Sequence, residues 1–132
     1  MEYVSRKLIE MNIDVVSVVS RLGGDEQLYL SICRKYIKDQ NFRLFIESII
    51  GNDFSAAELY IHTLKGIAAN LGFIRLEALC KTVLDELKIN KYINIETHIN
   101  NLCEEHTRIV FAFNEEQTLR FIDTPLQDTM LS

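Results

Sequence analysis

Apolar residues recur every three or four positions along almost the whole chain, from Val15 to Phe113. The one proline stands outside that span, at position 125. Such spacing follows the 3.6-residue period of an amphipathic helix, and scarcity of proline removes the strongest interruption to long helices. No stretch alternates apolar and polar residues as a half-buried strand does, and no Asn-Gly hairpin turn occurs. The chain is therefore expected to be all-α, and its glycines, asparagines and aspartates mark where the helices stop.

Glu2 to Glu10 reads as a short amphipathic helix. Asn12 or Asp14 can cap a second one running through Val15, Val16, Val18 and Val19 to about Leu22. Gly23-Gly24 stops it, and Asp25 can cap the next. From Asp25 to about Ile50 the pattern stays helical, with Lys38-Asp39-Gln40-Asn41 as a place for a kink or an interruption. Gly51-Asn52-Asp53 is a turn. Ser55 or Asp53 caps the following helix, with Glu58 placed for a capping box, and Gly72 ends it after Leu71. Further helices are expected over Ile74–Lys88 and about Ile95–Arg120, joined by a turn at Asn90–Asn94. Short links between long amphipathic helices make antiparallel neighbours. The expected fold is an antiparallel four-helix bundle, up-down-up-down, with a short N-terminal helix covering one end. Residues 1–122 form the single domain of that reading, and residues 123–132 a flexible C-terminal tail.

Length and charge narrow the function. At 132 residues the chain has room for one domain. The net charge is −5 and no dense basic run occurs, which argues against nucleic acid as partner. The apolar runs are far short of the ~20 residues that span a bilayer, and no secretory leader is expected. Cys33, Cys80 and Cys103 are odd in number and widely spaced, as in a cytoplasmic protein with reduced thiols. Cys103 and His106 lie one turn apart, but two ligands do not close a metal site; no metal is expected. His98 and His106 read as ordinary surface or boundary residues, and the pairs Glu104-Glu105 and Glu115-Glu116 as a solvated face.

The segment Ser55–Leu71 is more specific. At about 100° per residue, one face collects Ala57, Tyr60, Ile61, Leu64, Ile67, Ala68 and Leu71. The opposite face collects Ser55, Glu58, His62, Lys65, Gly66 and Ala69. His62 therefore points away from the core near the middle of a helix. Gly66 lies one turn further on the same side, where an interior glycine costs about 1 kcal/mol relative to alanine. It clears a path to the imidazole, and Ala69 extends the clearing. Lys65 sets an ammonium beside a ring whose neutral form is a nucleophile near physiological pH. A cation there favours an anionic phosphoryl group on the ring nitrogen. Each feature alone is ordinary for a surface helix; their conjunction at fixed offsets describes a docking and transfer site.

The run His62-Thr63-Leu64-Lys65-Gly66-Ile67-Ala68-Ala69-Asn70-Leu71-Gly72 closely resembles the signature of histidine-containing phosphotransfer (HPt) domains: histidine, lysine three later, glycine four later, and a second glycine ten later. Leu22 to Tyr29 resembles the start of the first long bundle helix of these domains, and Leu76 to Cys80 the helix after the histidine. The resemblance spans roughly residues 12 to 120. It implies a four-helix bundle and a phosphorelay intermediate that takes a phosphoryl group from an aspartate of one receiver domain and passes it to an aspartate of another. His62 would be the phosphoacceptor through Nε2, Lys65 would stabilise the phosphoryl group, and Gly66 would admit the receiver. Family members often carry a polar residue on the neighbouring helix that reaches the histidine. Leu84 stands at that position here, so Lys81 or Asp85 is left as a substitute.

The domain would be a phosphocarrier and not an enzyme, with no nucleotide loop and no cofactor of its own. Mg²⁺ is expected only in the partner receiver domain. Response-regulator receiver domains are the expected partners, a hybrid sensor histidine kinase a further one, and the chain itself a cytoplasmic monomer. Docking residues are expected among Ile13, Val16, Leu28, Ser55, Glu58 and Ala69, as apolar positions within a polar rim. Two alternatives share the pattern: the phosphoacceptor domain of a chemotaxis-type histidine kinase, and a helical adaptor that binds without being phosphorylated. Both a free-standing protein and a domain of a hybrid kinase fit.

Overall fold

A computed structural model describes residues 6–122, with side chains described up to Asn114. Seven helices follow in order: α1 (Arg6–Glu10), α2 (Val15–Arg21), α3 (Glu26–Ile37), α4 (Asn41–Ile50), α5 (Phe54–Leu71), α6 (Ile74–Lys88) and α7 (Ile95–Ile122). Among the described residues there is no strand, only an isolated bridge between Ile13 and Phe73. Helix α5 packs against both α4 and α6, α6 packs against α7, and α3 touches α2, α5 and α7. The expected helical start at Glu2 and the tail 123–132 lie in part or wholly outside the described residues.

Aspartates open three of the helices. Asp14 Oδ1 accepts from Ser17 N at 3.2 Å, Asp25 Oδ1 from Leu28 N at 3.0 Å, and Asp53 Oδ1 from Ala56 N at 3.1 Å. Each satisfies one of the free N–H groups of a first turn. Asp53 caps α5, so Ser55 and Glu58 stand inside the helix and do not form the capping box. The stretch from Asp25 to Ile50 is two helices. Asp39 breaks it by turning its carboxylate onto the next helix, accepting from Asn41 N at 2.8 Å and Asn41 Nδ2 at 2.9 Å, an Asx-type turn that competes with helix continuation.

The core is continuous. Tyr29, Phe45, Ile61, Leu64, Phe73, Leu76, Leu102, Ile109 and Phe113 are all buried. Edge-on or tilted ring contacts link Tyr36 to Phe73 (5.2 Å), Phe73 to Phe113 (5.9 Å) and Tyr29 to Phe113 (6.5 Å), a geometry aromatic pairs favour.

The C-terminal end of α5 is held by tertiary contacts. Asp14 N donates to Gly72 O at 2.8 Å, Tyr29 Oη to Leu71 O at 3.0 Å, and Arg21 to Asn70 O at 3.3 Å. Three carbonyls that the helix leaves open are thereby filled from α2 and α3 and the residue before α2. Gly72 itself has φ +79°, and a Cβ there would lie 2.8 Å from Asp14 O.

That junction overturns one expectation. Ile13 is 4% exposed, buried in its bridge to Phe73, and offers nothing to a partner. Glu105 is also not on a solvated face. It is 4% exposed and ion-paired with Arg108 at 3.0 Å and Arg75 at 3.6 Å, as a buried carboxylate requires. His106 is half-buried, stacked on Phe42 (3.8 Å) with its Nδ1 accepting from Tyr36 Oη. It therefore bridges α3 and α4 across their break. His98 is partly buried against Glu86.

Candidate functional site

Helix α5 carries the site because its two faces differ so sharply. Ala57, Ile61, Leu64, Ala68 and Leu71 are buried, whereas Ser55, Leu59, His62, Thr63, Gly66, Ala69 and Asn70 are exposed. With the inner face locked into the core on both flanks, by α4 and α6, the outer face is a rigid platform. His62 stands at its middle.

An open cavity of about 500 Å³ lies at His62, lined by Ser55, Glu58, Leu59 and His62 of α5 and by Leu84 and Lys88 of α6. Three of the sequence-derived candidates, Ser55, Glu58 and His62, thus share one depression. Lys65, half-buried, and Gly66 and Ala69, exposed, continue the same face of α5 toward its C-terminus. A Cβ built on Gly66 meets nothing within 4 Å. The glycine is therefore not there for a close helix–helix approach; it leaves open space beside His62.

Val16 and Leu28 are exposed at 59% and 43%. They belong to helices that reach α5 at Asn70–Leu71, about 12 Å along its axis from His62 at ~1.5 Å per residue. The structure does not bring them into the cavity.

Helix α6 supplies the opposite wall. Leu84, 2% exposed, closes the cavity with an apolar surface. Neither substitute for a polar group at that position is free. Lys81 Nζ binds Asp85 Oδ2 at 2.9 Å, and this hydrogen bond, with the charges of Lys81, Lys65 and Lys88, holds the exposed Asp85 carboxyl below its ordinary range. Burial pushes the Cys80 and Cys33 thiols up to about 12, which makes them inert core residues.

Two cavity residues escaped the sequence reading. Leu59, 63% exposed, lies on the outer arc of the helical wheel, three residues before His62, and was visible there as an apolar residue out of place. Lys88 follows Leu84 by one helical turn on α6, so it shares that side of its helix, but only the packing of α6 on α5 tells which side faces His62.

Among the described residues, no group of three or more His, Cys, Asp or Glu side chains is arranged to hold a metal, and no helix is long and apolar enough to cross a membrane.

A solvent-facing histidine thus stands at the centre of a helical face held on both flanks, with a lysine and a glycine bordering open space one turn further on. The Hpt domain family model matches residues 36–109, more than half of the chain and the whole of α4, α5 and α6. The chain belongs to the Hpt domain family, whose members are phosphocarrier modules in histidine phosphotransfer. No curated protein and no solved structure matches it.

Proposed function

We propose that this protein is a phosphorelay intermediate in which His62 is the phosphoacceptor. A receiver-domain aspartyl phosphate docks over the cavity, and His62 Nε2 attacks phosphorus. The bond from phosphorus to the aspartyl oxygen breaks, and the carboxylate leaves. The reverse displacement by an aspartate of a second receiver completes the relay. Lys65 offsets the charge of the phosphoryl group, and Gly66 admits the receiver. Ser55, Glu58 and Ala69 lie within the docking footprint, with Val16 and Leu28 as its outer edge.

Mg²⁺ belongs to the receiver in this scheme, and this chain carries no cofactor. The bundle is read as antiparallel and up-down, formed by α3 with α4, α5, α6 and α7, in one domain extending to residue 122 and acting as a cytoplasmic monomer. Exchange takes place with response-regulator receivers, and a hybrid sensor kinase is a further source.

One observation carries this reading: the exposed imidazole stands beside open space at Gly66, on a helix otherwise locked in place. A non-phosphorylated adaptor has no need of either. The test is transfer from a radiolabelled phospho-receiver. Wild-type protein should gain acid-labile phosphate, and His62→Gln should gain none. Label persisting in that variant would refute the assignment. Labelling by a kinase catalytic domain with ATP, and none by any receiver, would indicate the chemotaxis-type alternative.

A further inference from the structure

We propose that the turn between α6 and α7 is an apolar anchor on which a receiver domain seats while its aspartyl phosphate reaches His62. This rests on His62 being the phosphoacceptor.

Five of the ten large apolar side chains exposed among the described residues stand toward the end of the bundle where α5 begins. They are Ile50, Leu59, Ile89, Tyr92 and Ile93, and Ile93 is 94% exposed. Single apolar residues on a surface are ordinary, whereas a cluster at one end marks a contact surface. The rings of Phe54 and Tyr92 stack with centroids 4.8 Å apart, which joins the turn to the first residue of α5. The turn is also tied internally. Tyr92 Oη donates to Asn90 Oδ1 at 2.9 Å and Lys91 N to Glu86 O at 3.0 Å, and Asn90 takes the left-handed φ of 55°, which asparagine tolerates. With Tyr92 held by the stack and the hydrogen bond, its neighbour Ile93 is presented to water from a fixed backbone. A contact made from a fixed backbone loses little freedom on binding.

The occupant follows from continuity with the cavity. Leu59 lines the His62 cavity from α5, and Lys88, the residue before Ile89, lines it from α6. The apolar residues therefore begin inside the transfer site and run outward from it. Phe54, on which the turn rests, stands eight residues before His62, about 12 Å along α5 at ~1.5 Å per residue. A stable interface takes about 800 Å² from each partner, a patch of roughly 16 Å radius, so a domain centred on His62 covers the turn. A second copy of this chain resting there would crowd the mouth of the cavity and keep the phosphodonor away. A receiver uses the turn and the histidine together. Its matching face is apolar and lies about 12 Å from its aspartyl phosphate, by the same helical rise.

The experiment takes the receiver that labels wild-type protein and measures its affinity by titration calorimetry, with phosphoramidate labelling and sedimentation alongside. Ile93→Asp should raise the Kd about tenfold or more, because it sets an unpaired charge in an apolar contact. Ile89→Ser should raise it about three- to tenfold, and Ile93→Leu should stay within about twofold. Phosphoramidate needs no docking, so its labelling should match wild type in all three. The melting temperature of Ile93→Asp should not move, because the side chain is exposed and the Phe54–Tyr92 stack is untouched. Wild-type receiver affinity in both Ile93→Asp and Ile89→Ser would overturn the proposal and leave the phosphorelay reading standing. A wild-type dimer that Ile93→Asp makes monomeric, with receiver affinity unchanged, would overturn it in favour of a second copy. Phosphoramidate label retained in His62→Gln would instead remove the reading on which the proposal rests.

Discussion

Replacing Gly66 by alanine should make the protein more stable and less active. Gly66 is in the interior of an 18-residue helix, exposed, with nothing within 4 Å of a Cβ placed there. The methyl group meets no clash, and alanine restricts the unfolded chain more than glycine does. The expected gain is about 0.5–1 kcal/mol. With an unfolding entropy near 2 cal/mol/K per residue, that raises the melting temperature by about 2–4 °C. The same methyl projects from the face that carries His62, one turn away. In-line attack tolerates little displacement, since roughly 1 Å of misplacement can cost 10²-fold. Transfer from a phospho-receiver should therefore fall about ten- to hundredfold. The assays are calorimetry and rapid-quench phosphotransfer on one preparation. A rise in melting temperature with transfer within twofold of wild type would show that Gly66 does not govern access. A fall in melting temperature would refute the claim that the glycine borders open space.

Gly72→Ala should act in the opposite sense. Its φ of +79° and the 2.8 Å approach of a Cβ to Asp14 O combine left-handed strain with a backbone clash, and the loss should exceed about 2 kcal/mol in urea unfolding; equal stability would mean that the α5–α2 junction shifts without cost. His106 should make stability depend on pH. Burial lowers it from 6.5 to about 4, against an opposing pull from the charge of Asp39. The unfolded chain therefore takes up the proton first. The stabilisation is present above about pH 6.5 and is lost as the pH falls toward 4. The full shift corresponds to about 3 kcal/mol, reduced to about 1–2 by the exposed edge of the ring. His106→Gln should flatten the slope of the urea midpoint between pH 6.5 and 4, and an unchanged slope would exclude His106 as its source.

What could be read from the chain alone was local. Asp14, Asp25 and Gly72 mark helix ends because capping depends on a side chain or backbone within a few residues of the terminus. The bounds of α6, Ile74–Lys88, were legible from its apolar period instead, since Phe73 provides no side-chain cap. The inward face of α5 was legible because the apolar positions repeat at one period. What escaped depends on distant partners. Ile13 looked available until Phe73, sixty residues on, paired with it. His106 looked ordinary because Tyr36, which donates to it, is 70 residues away. The α3–α4 break was visible as a polar stretch, but a kink and a chain break leave the same polar signature. Choosing between them needed the turn of Asp39 onto Asn41 and the stack of Phe42 on His106.

Lys88 belongs to that second group, and it changes how the cavity is understood. On sequence, Leu84 marks a deficit, an apolar residue where a neighbouring helix could have assisted the histidine. In three dimensions Leu84 is nearly fully buried and contributes to packing between α5 and α6. A polar residue there would have needed a satisfied partner or would have weakened that packing. Leu84 keeps that wall apolar and holds α6 against α5, and the exposed Lys88 stands one turn later on the same side. Leu84→Gln should lower the melting temperature, because it buries an amide against the apolar face of α5, while leaving His62 open to phosphorylation; an unchanged melting temperature would refute the packing role of Leu84.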